Sequence, residues 1–207
     1  MSVEDTWMRL VAMAAMQRRH NEQIHPQWAD QGHEYYRAVW VECAELMDHF
    51  GWKWWKRHAV DRDQVVLEVV DIWHFGLSEL IRAGEVNQAL ARRLQEALVE
   101  PSRLDFRRAV EELARSSLAS RGFDIEAFAG VMRALPLMFD ELYETYVAKN
   151  VLNVFRQANG YRTGKYRKVW DGREDNEHLS ELVATLDTGA DSFPEDLAAA
   201  LADRYPG

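Results

Sequence analysis

Two pairs of acids stand where acids are costly. The segment VVLEVVDIWHFGL, residues 65–77, carries Glu68 and Asp71 three apart among Val, Ile, Leu, Trp and Phe, with His74 three further on. Earlier, WVECAELMDHF, residues 40–50, sets Glu42 and Glu45 at the same spacing among Trp40, Val41, Cys43, Ala44, Leu46 and Met47. On a helix, residues three apart share a face with Cβ atoms about 5–6 Å apart, so each pair points into one space. An ionised carboxylate taken out of water is expensive unless it is paired or bound to a metal. If the two helices pack antiparallel, four carboxylates converge, and like charges either raise their pKa values or recruit a cation. Oxygen ligands without thiolate favour Mg²⁺, with Mn²⁺ as substitute, over zinc. Asp48 extends the Glu42/Glu45 face, as an outer partner of the ligands or as a solvated helix-end acid. A single ExxE is common on solvated faces; the apolar flanks and the repetition set these two pairs apart.

A second metal chemistry competes. Glu22-x-x-His25 and Asp71-x-x-His74 match the Glu-x-x-His pattern of di-iron carboxylate bundles. His25 precedes Pro26 at a helix end, a poor place for a core-facing ligand, and this reading leaves the C-terminal third unexplained.

That third holds the complementary charge. In YVAKNVLNVFRQANGYRTGKYRKVWDGREDN, residues 146–176, Lys149, Asn153 and Arg156 fall at i, i+4 and i+7 on one helical face, followed by Arg162, Lys165, Arg167 and Lys168 around glycines. Such cations hold phosphate oxygens, and Mg²⁺ commonly bridges carboxylates to phosphates. The bland alternative is a solvated amphipathic helix with a basic loop. GWKWWKRH, residues 51–58, offers a tryptophan wall for base stacking or simply packing residues. Gln17 and Asn21, four apart, can read the polar edge of a base.

The elements that must position these groups are helices. Proline is scarce and Ala, Leu, Glu, Arg and Met are abundant, so the pattern predicts an all-α chain with helices at about 3–24, 31–50, 61–83, 86–99 and 102–119, the last capped by Ser102. Further helices are expected at about 124–158 with a kink at Pro136, near 177–186 and at 194–204, with Gly160, Gly164 and Gly172 marking a loop. The 207 residues are read as a single all-α domain, 1–207, with 85–125 as a helical insertion or lobe and 187–207 as a tail. No apolar run reaches the roughly 20 residues of a membrane span. A net charge of −9 argues against general nucleic-acid binding. A lone Cys43 and the absence of a signal-peptide pattern fit a cytoplasmic protein, with the thiol read as a buried helical residue.

Five stretches in order, the Gln17/Asn21 helix, ECAEL with GWKWWK, EVVDIWHF, KNVLNVFRQANGY, and GKYRKVW with EDN, resemble the dimeric all-α dUTPase family. This family lies within the all-α NTP pyrophosphatase superfamily, related to the MazG type. The resemblance implies a helical-bundle core and Mg²⁺-dependent hydrolysis of dUTP, and of dUDP, to dUMP by a homodimer. It implies Glu42, Glu45, Glu68 and Asp71 as Mg²⁺ ligands, with Glu42 or Glu45 activating water. It implies Gln17, Asn21, Trp54, His74 and Asn153 as contacts to deoxyuridine, with His20 standing where the family often has Leu. Lys149, Arg156, Tyr161 and Lys168 are implied as phosphate contacts, and Asp175 and Asn176 as part of a closing loop. A broader (d)NTP pyrophosphohydrolase of the MazG type would share the acids and differ in base selectivity.

Overall fold

A computed structural model of the chain describes residues 2–101 and 103–206. Ser102, expected to cap a helix, lies outside the described residues. The architecture is all-α: α1 (Val3–Ile24), α2 (Tyr35–Phe50), α3 (Arg62–Arg82), α4 (Gln88–Val99), α5 (Phe106–Ser120), α6 (Ile125–Ala134), α7 (Phe139–Ala158), α8 (Asp175–Val183) and α9 (Phe193–Arg204). Between α7 and α8 stand a one-turn 3₁₀ helix, Tyr161–Thr163, and a two-stranded hairpin of β1 (Val169–Trp170) and β2 (Arg173–Glu174). No helix of the described residues is long and apolar enough to cross a membrane. The chain divides into two compact units, Met1–Tyr143 and Glu144–Gly207.

In the first unit α3 is the central element. Val65, Val66, Leu67, Val69, Val70, Ile72, Trp73, Leu77, Leu80 and Ile81 are all buried, so this helix is apolar around most of its circumference, as a helix enclosed by others must be. Each fully buried aliphatic or aromatic side chain contributes about 1.5–3 kcal/mol. α2 packs along α3 and also on α5; α1 packs on α3 and α4; α4 and α5 both pack on α6. The segment 85–125 thus supplies two helices laid against this core. α2 and α3 run in opposite directions, since the Asp61 N–H donates to the His49 carbonyl at 3.2 Å where the pair joins. Gly76 permits one close approach: a Cβ there would lie 2.4 Å from the Phe123 ring, which also tilts against Trp73 at 6.0 Å.

Helix ends follow local chemistry. Ser2 and Asp5 form a capping box at the start of α1. α2 begins at Tyr35 and not near 31, because Gly32 takes a positive φ of 66° and the His33 carbonyl accepts from Arg82 Nη1 at 2.9 Å instead of starting a helix. The expected helix over 124–158 is two helices. Pro136 has no N–H to continue α6, and the Met132 carbonyl accepts from Leu137 N–H at 2.9 Å, closing α6 before α7 begins.

The second unit builds its core from Tyr146, Leu152, Trp170, Leu179, Leu182, Phe193, Leu197 and Leu201. Trp170 stacks on His178 at 5.0 Å, and the His178 ring hydrogen-bonds the Trp170 carbonyl through Nε2 at 2.9 Å. The hairpin turns at Asp171 and Gly172, both with positive φ, the backbone that a two-residue turn of this hand requires.

Candidate functional site

Antiparallel packing of α2 on α3 brings Glu42 of the first helix to Glu68 and Asp71 of the second. Each offers a carboxylate oxygen, and the three oxygens lie within 4.8 Å of one another. Among the described residues this is the one group of three or more acid, His or Cys ligand atoms so gathered. Glu68 is only 5% exposed; Glu42 and Asp71 are partly buried. Burial pushes the Glu42 carboxyl up to about 9, with the charges of Asp71 and Glu68, a hydrogen bond to Glu68 and the charge of Glu45 adding to it. Three carboxylates so placed cannot all ionise at neutral pH without added positive charge. His49 Nε2, 3.6 Å from Glu68 Oε1, reaches the edge of the group from α2. The donor set, three hard oxygens with no thiolate, fits a divalent cation of the Mg²⁺ or Mn²⁺ kind.

Glu45, expected as the fourth ligand, is exposed and outside the three-oxygen group, though close enough for its charge to raise Glu42. Asp48 is turned elsewhere: it accepts from Trp52 Nε1 at 2.6 Å and pairs with Lys53 at 2.9 Å, and these hydrogen bonds hold its carboxyl below the usual value. Cys43 is buried, and burial pushes its thiol up to about 12, so it is a packing residue. The di-iron pattern finds no counterpart, since His74, Glu22 and His25 are not in the group and His25 Nδ1 instead accepts from the Gln27 N–H at 3.1 Å.

One turn beyond Asp71, a buried polar chain links α3 to α1. Gln17 Nε2 donates to Asn21 Oδ1 at 3.0 Å, Asn21 Nδ2 to Ser78 Oγ at 3.0 Å, and Ser78 Oγ to the His74 carbonyl at 2.9 Å. With its amide hydrogens turned to Asn21, Gln17 Oε1 accepts from His74 Nδ1–H at 2.7 Å. Gln17, Asn21 and His74 are therefore brought together, and Ser78 joins them; its spacing of four residues from His74 was the available signal. Trp54 is 90% exposed and meets Trp55 edge-on at 5.5 Å.

The second unit gathers the other expected residues. Arg156 grips Asp175 through Nε and Nη2, both at 2.8 Å, and donates to Asn153 Oδ1 at 3.1 Å and Asn176 Oδ1 at 3.2 Å. Lys149, 1% exposed, donates to the same Asn176 oxygen at 2.9 Å. Asp175 and Asn176 are the first residues of α8, where the helix dipole favours a carboxylate. Burial alone would raise Asp175, but Arg156, Tyr166 and Lys149 outweigh it and hold the carboxyl below its usual value. Tyr166, not foreseen, donates its hydroxyl to Asp175 Oδ2 at 2.8 Å. Tyr161 lies under the Arg156 guanidinium at 6.0 Å and is half exposed; Lys168 is exposed and paired with Glu174 at 3.0 Å.

No curated protein matches the chain. A family model described as dUTPase matches residues 9–161, which takes in the Gln17/Asn21 helix, all three clustered carboxylates and α7. Because that match spans well over half of the chain and includes the acid cluster on α2 and α3, the chain belongs to the dUTPase family, the dUTP diphosphatases.

Proposed function

We propose that the chain hydrolyses dUTP, and dUDP by the same route, to dUMP in a Mg²⁺-dependent reaction that releases pyrophosphate or phosphate. The observation that carries the metal requirement is the convergence of Glu42, Glu68 and Asp71 within 4.8 Å. Glu42, Glu68 and Asp71, with Glu45 at the rim, would hold Mg²⁺ or Mn²⁺, which would supply positive charge against the phosphate chain and lower the pKa of a bound water.

The chain's own groups divide the remaining work. Glu42, partly buried at the edge of the cluster, orients the attacking water and takes its proton, with Glu45 as the alternative acceptor. The water oxygen bonds to the β-phosphorus as the bond from that phosphorus to the bridging oxygen breaks, and that oxygen leaves with dUMP. Gln17, Asn21 and His74 present a polar edge to the base, Trp54 stacks on it, and Asn153 contacts the nucleoside. Lys149, Arg156, Tyr161 and Lys168 hold phosphate oxygens and stabilise charge as it develops. Asp175 and Asn176, at the start of α8, hold the Arg156 guanidinium by three hydrogen bonds and so orient it toward phosphate. The lone cysteine supports a cytoplasmic setting, and the resemblance to the dimeric family supports action as a homodimer.

Pyrophosphate release from dUTP, dCTP, dTTP and UTP, each with and without EDTA, tests this reading. Release from dUTP alone, abolished by EDTA, is expected. Equal turnover of all four makes the chain a broader NTP pyrophosphohydrolase, and release that EDTA leaves intact removes the metal from the account.

A further inference from the structure

The family match stops at Tyr161, yet the residues after it hold the basic loop in place. Gly160 and Gly164 both take positive φ, and the stretch from 164 to 168 belongs to no helix or strand; the Lys165 N–H donates to the Gly160 carbonyl at 3.0 Å and the Lys168 carbonyl accepts from the Asp175 N–H at 2.9 Å, which leaves the middle of the loop to side-chain contacts. Tyr205, just past the end of α9, supplies them. Its ring stacks on Tyr166 with centroids 5.4 Å apart and planes 7° from parallel, and meets Phe155 and Trp170 edge-on at 5.3 and 5.2 Å. Its hydroxyl oxygen accepts from the Arg167 backbone N–H at 3.1 Å. α9 is itself anchored by buried Phe193, Leu197 and Leu201, and Arg204 donates to Glu181 at 2.9 Å. Tyr166 passes the constraint inward, because its hydroxyl bonds Asp175 Oδ2, the same oxygen that accepts from Arg156 Nε.

We infer that Tyr205 is a positioning residue: the C-terminal helix and the ring that follows it fix loop 161–168 and, through Tyr166 and Asp175, orient Arg156, so that the end of the chain sets affinity for the substrate's phosphate chain. This rests on the reading of Arg156, Tyr161 and Lys168 as phosphate-binding groups. A glycine-bearing loop that had to order itself around each phosphate chain would spend binding energy on that ordering, and a loop already stacked in place does not.

The test uses the full chain with Mg²⁺, as wild type, Tyr205→Ala and Tyr205→Phe, and measures binding of α,β-imido-dUTP and of deoxyuridine beside thermal unfolding. Tyr205→Ala is expected to weaken imido-dUTP by about tenfold, the scale of a lost aromatic stack, and to leave deoxyuridine within about twofold. Tyr205→Phe keeps the stack and loses only the acceptor for Arg167 N–H, so its loss for imido-dUTP is about two- to threefold. Wild-type affinity for imido-dUTP in Tyr205→Ala, or equal loss for both ligands, overturns the inference. Should Tyr205→Ala fail to fold, Tyr205→Phe decides: a loss confined to imido-dUTP supports the inference, and unchanged affinity for both ligands overturns it. A wild-type chain that binds imido-dUTP no more tightly than deoxyuridine overturns the phosphate reading itself, and the inference with it.

Discussion

The carboxylates of α2 and α3 and the ionic cluster around Arg156 are both substantially buried, and they solve the problem of buried charge in opposite ways. Around Arg156 the guanidinium charge is answered from within: it holds Asp175 by two hydrogen bonds, Tyr166 donates to the same carboxylate, and Lys149 joins through Asn176. At Glu42, Glu68 and Asp71 like charges face one another, and burial with mutual repulsion drives Glu42 up to about 9. The lesson is that a site built for a cation reveals itself by an electrostatic imbalance. The phosphate site proposed around Arg156 is concealed, because its guanidinium is already paired with a resident carboxylate. The second unit could therefore pass for ordinary structural ion pairing, whereas the first could not.

Substitutions can break this contrast. The largest effect is on turnover: Asp71→Asn or Glu68→Gln is expected to lower dUTP hydrolysis at saturating Mg²⁺ by roughly 10³-fold, since each removes a carboxylate proposed to hold the cation. Near-normal turnover in either variant would make the acid cluster structural. Next is stability in the other cluster. Asp175→Asn leaves Arg156 with a buried unanswered charge and should lower unfolding free energy by about 3 kcal/mol in denaturant titration. Because Asp175 is held below 3.8 in the folded chain, its contribution is full above that pH and is lost as pH falls through the folded value. The smallest effect has the opposite sign. Glu68→Gln in metal-free protein removes one of the repelling charges and should raise stability by about 1 kcal/mol near neutral pH. If both substitutions destabilise, the two clusters are of one kind and the contrast is wrong.

Much of this arrangement was legible beforehand, and the exceptions have physical causes. The bounds of α1 match expectation because Ser2 and Pro26 mark its ends by local chemistry. The acid pairs were legible because carboxylates at helical spacing in apolar surroundings are rare without a reason. Glu45 stands at the exposed rim while Glu42 turns inward, a difference the spacing could not show, since Glu68 and Asp71 are also three apart and both face the cluster. The break at Pro136 was read as a kink, since sequence shows that a hydrogen bond is lost but not that Leu137 will supply a closing one. The hairpin was not foreseen: Gly172 was read only as part of a loop, and strands of two residues leave no periodicity to read, although Asp171-Gly172 is a turn pair. Tyr166 and Tyr205 were missed because aromatic rings and their hydroxyls carry no spacing rule and only tertiary packing shows what they touch; Ser78 was missed although it stands four residues from His74.

Thermal unfolding of the chain across pH 4.5 to about 9, with and without Mg²⁺, tests the central claim most directly. Without metal, the folded chain keeps a proton on Glu42 that the unfolded chain gives up near 4.5, so its stability should fall as pH rises through that window. Mg²⁺ replaces that proton, and the account predicts a stabilisation by Mg²⁺ that grows steadily with pH. A Mg²⁺ effect that is absent, or equal at both ends of the range, would contradict it.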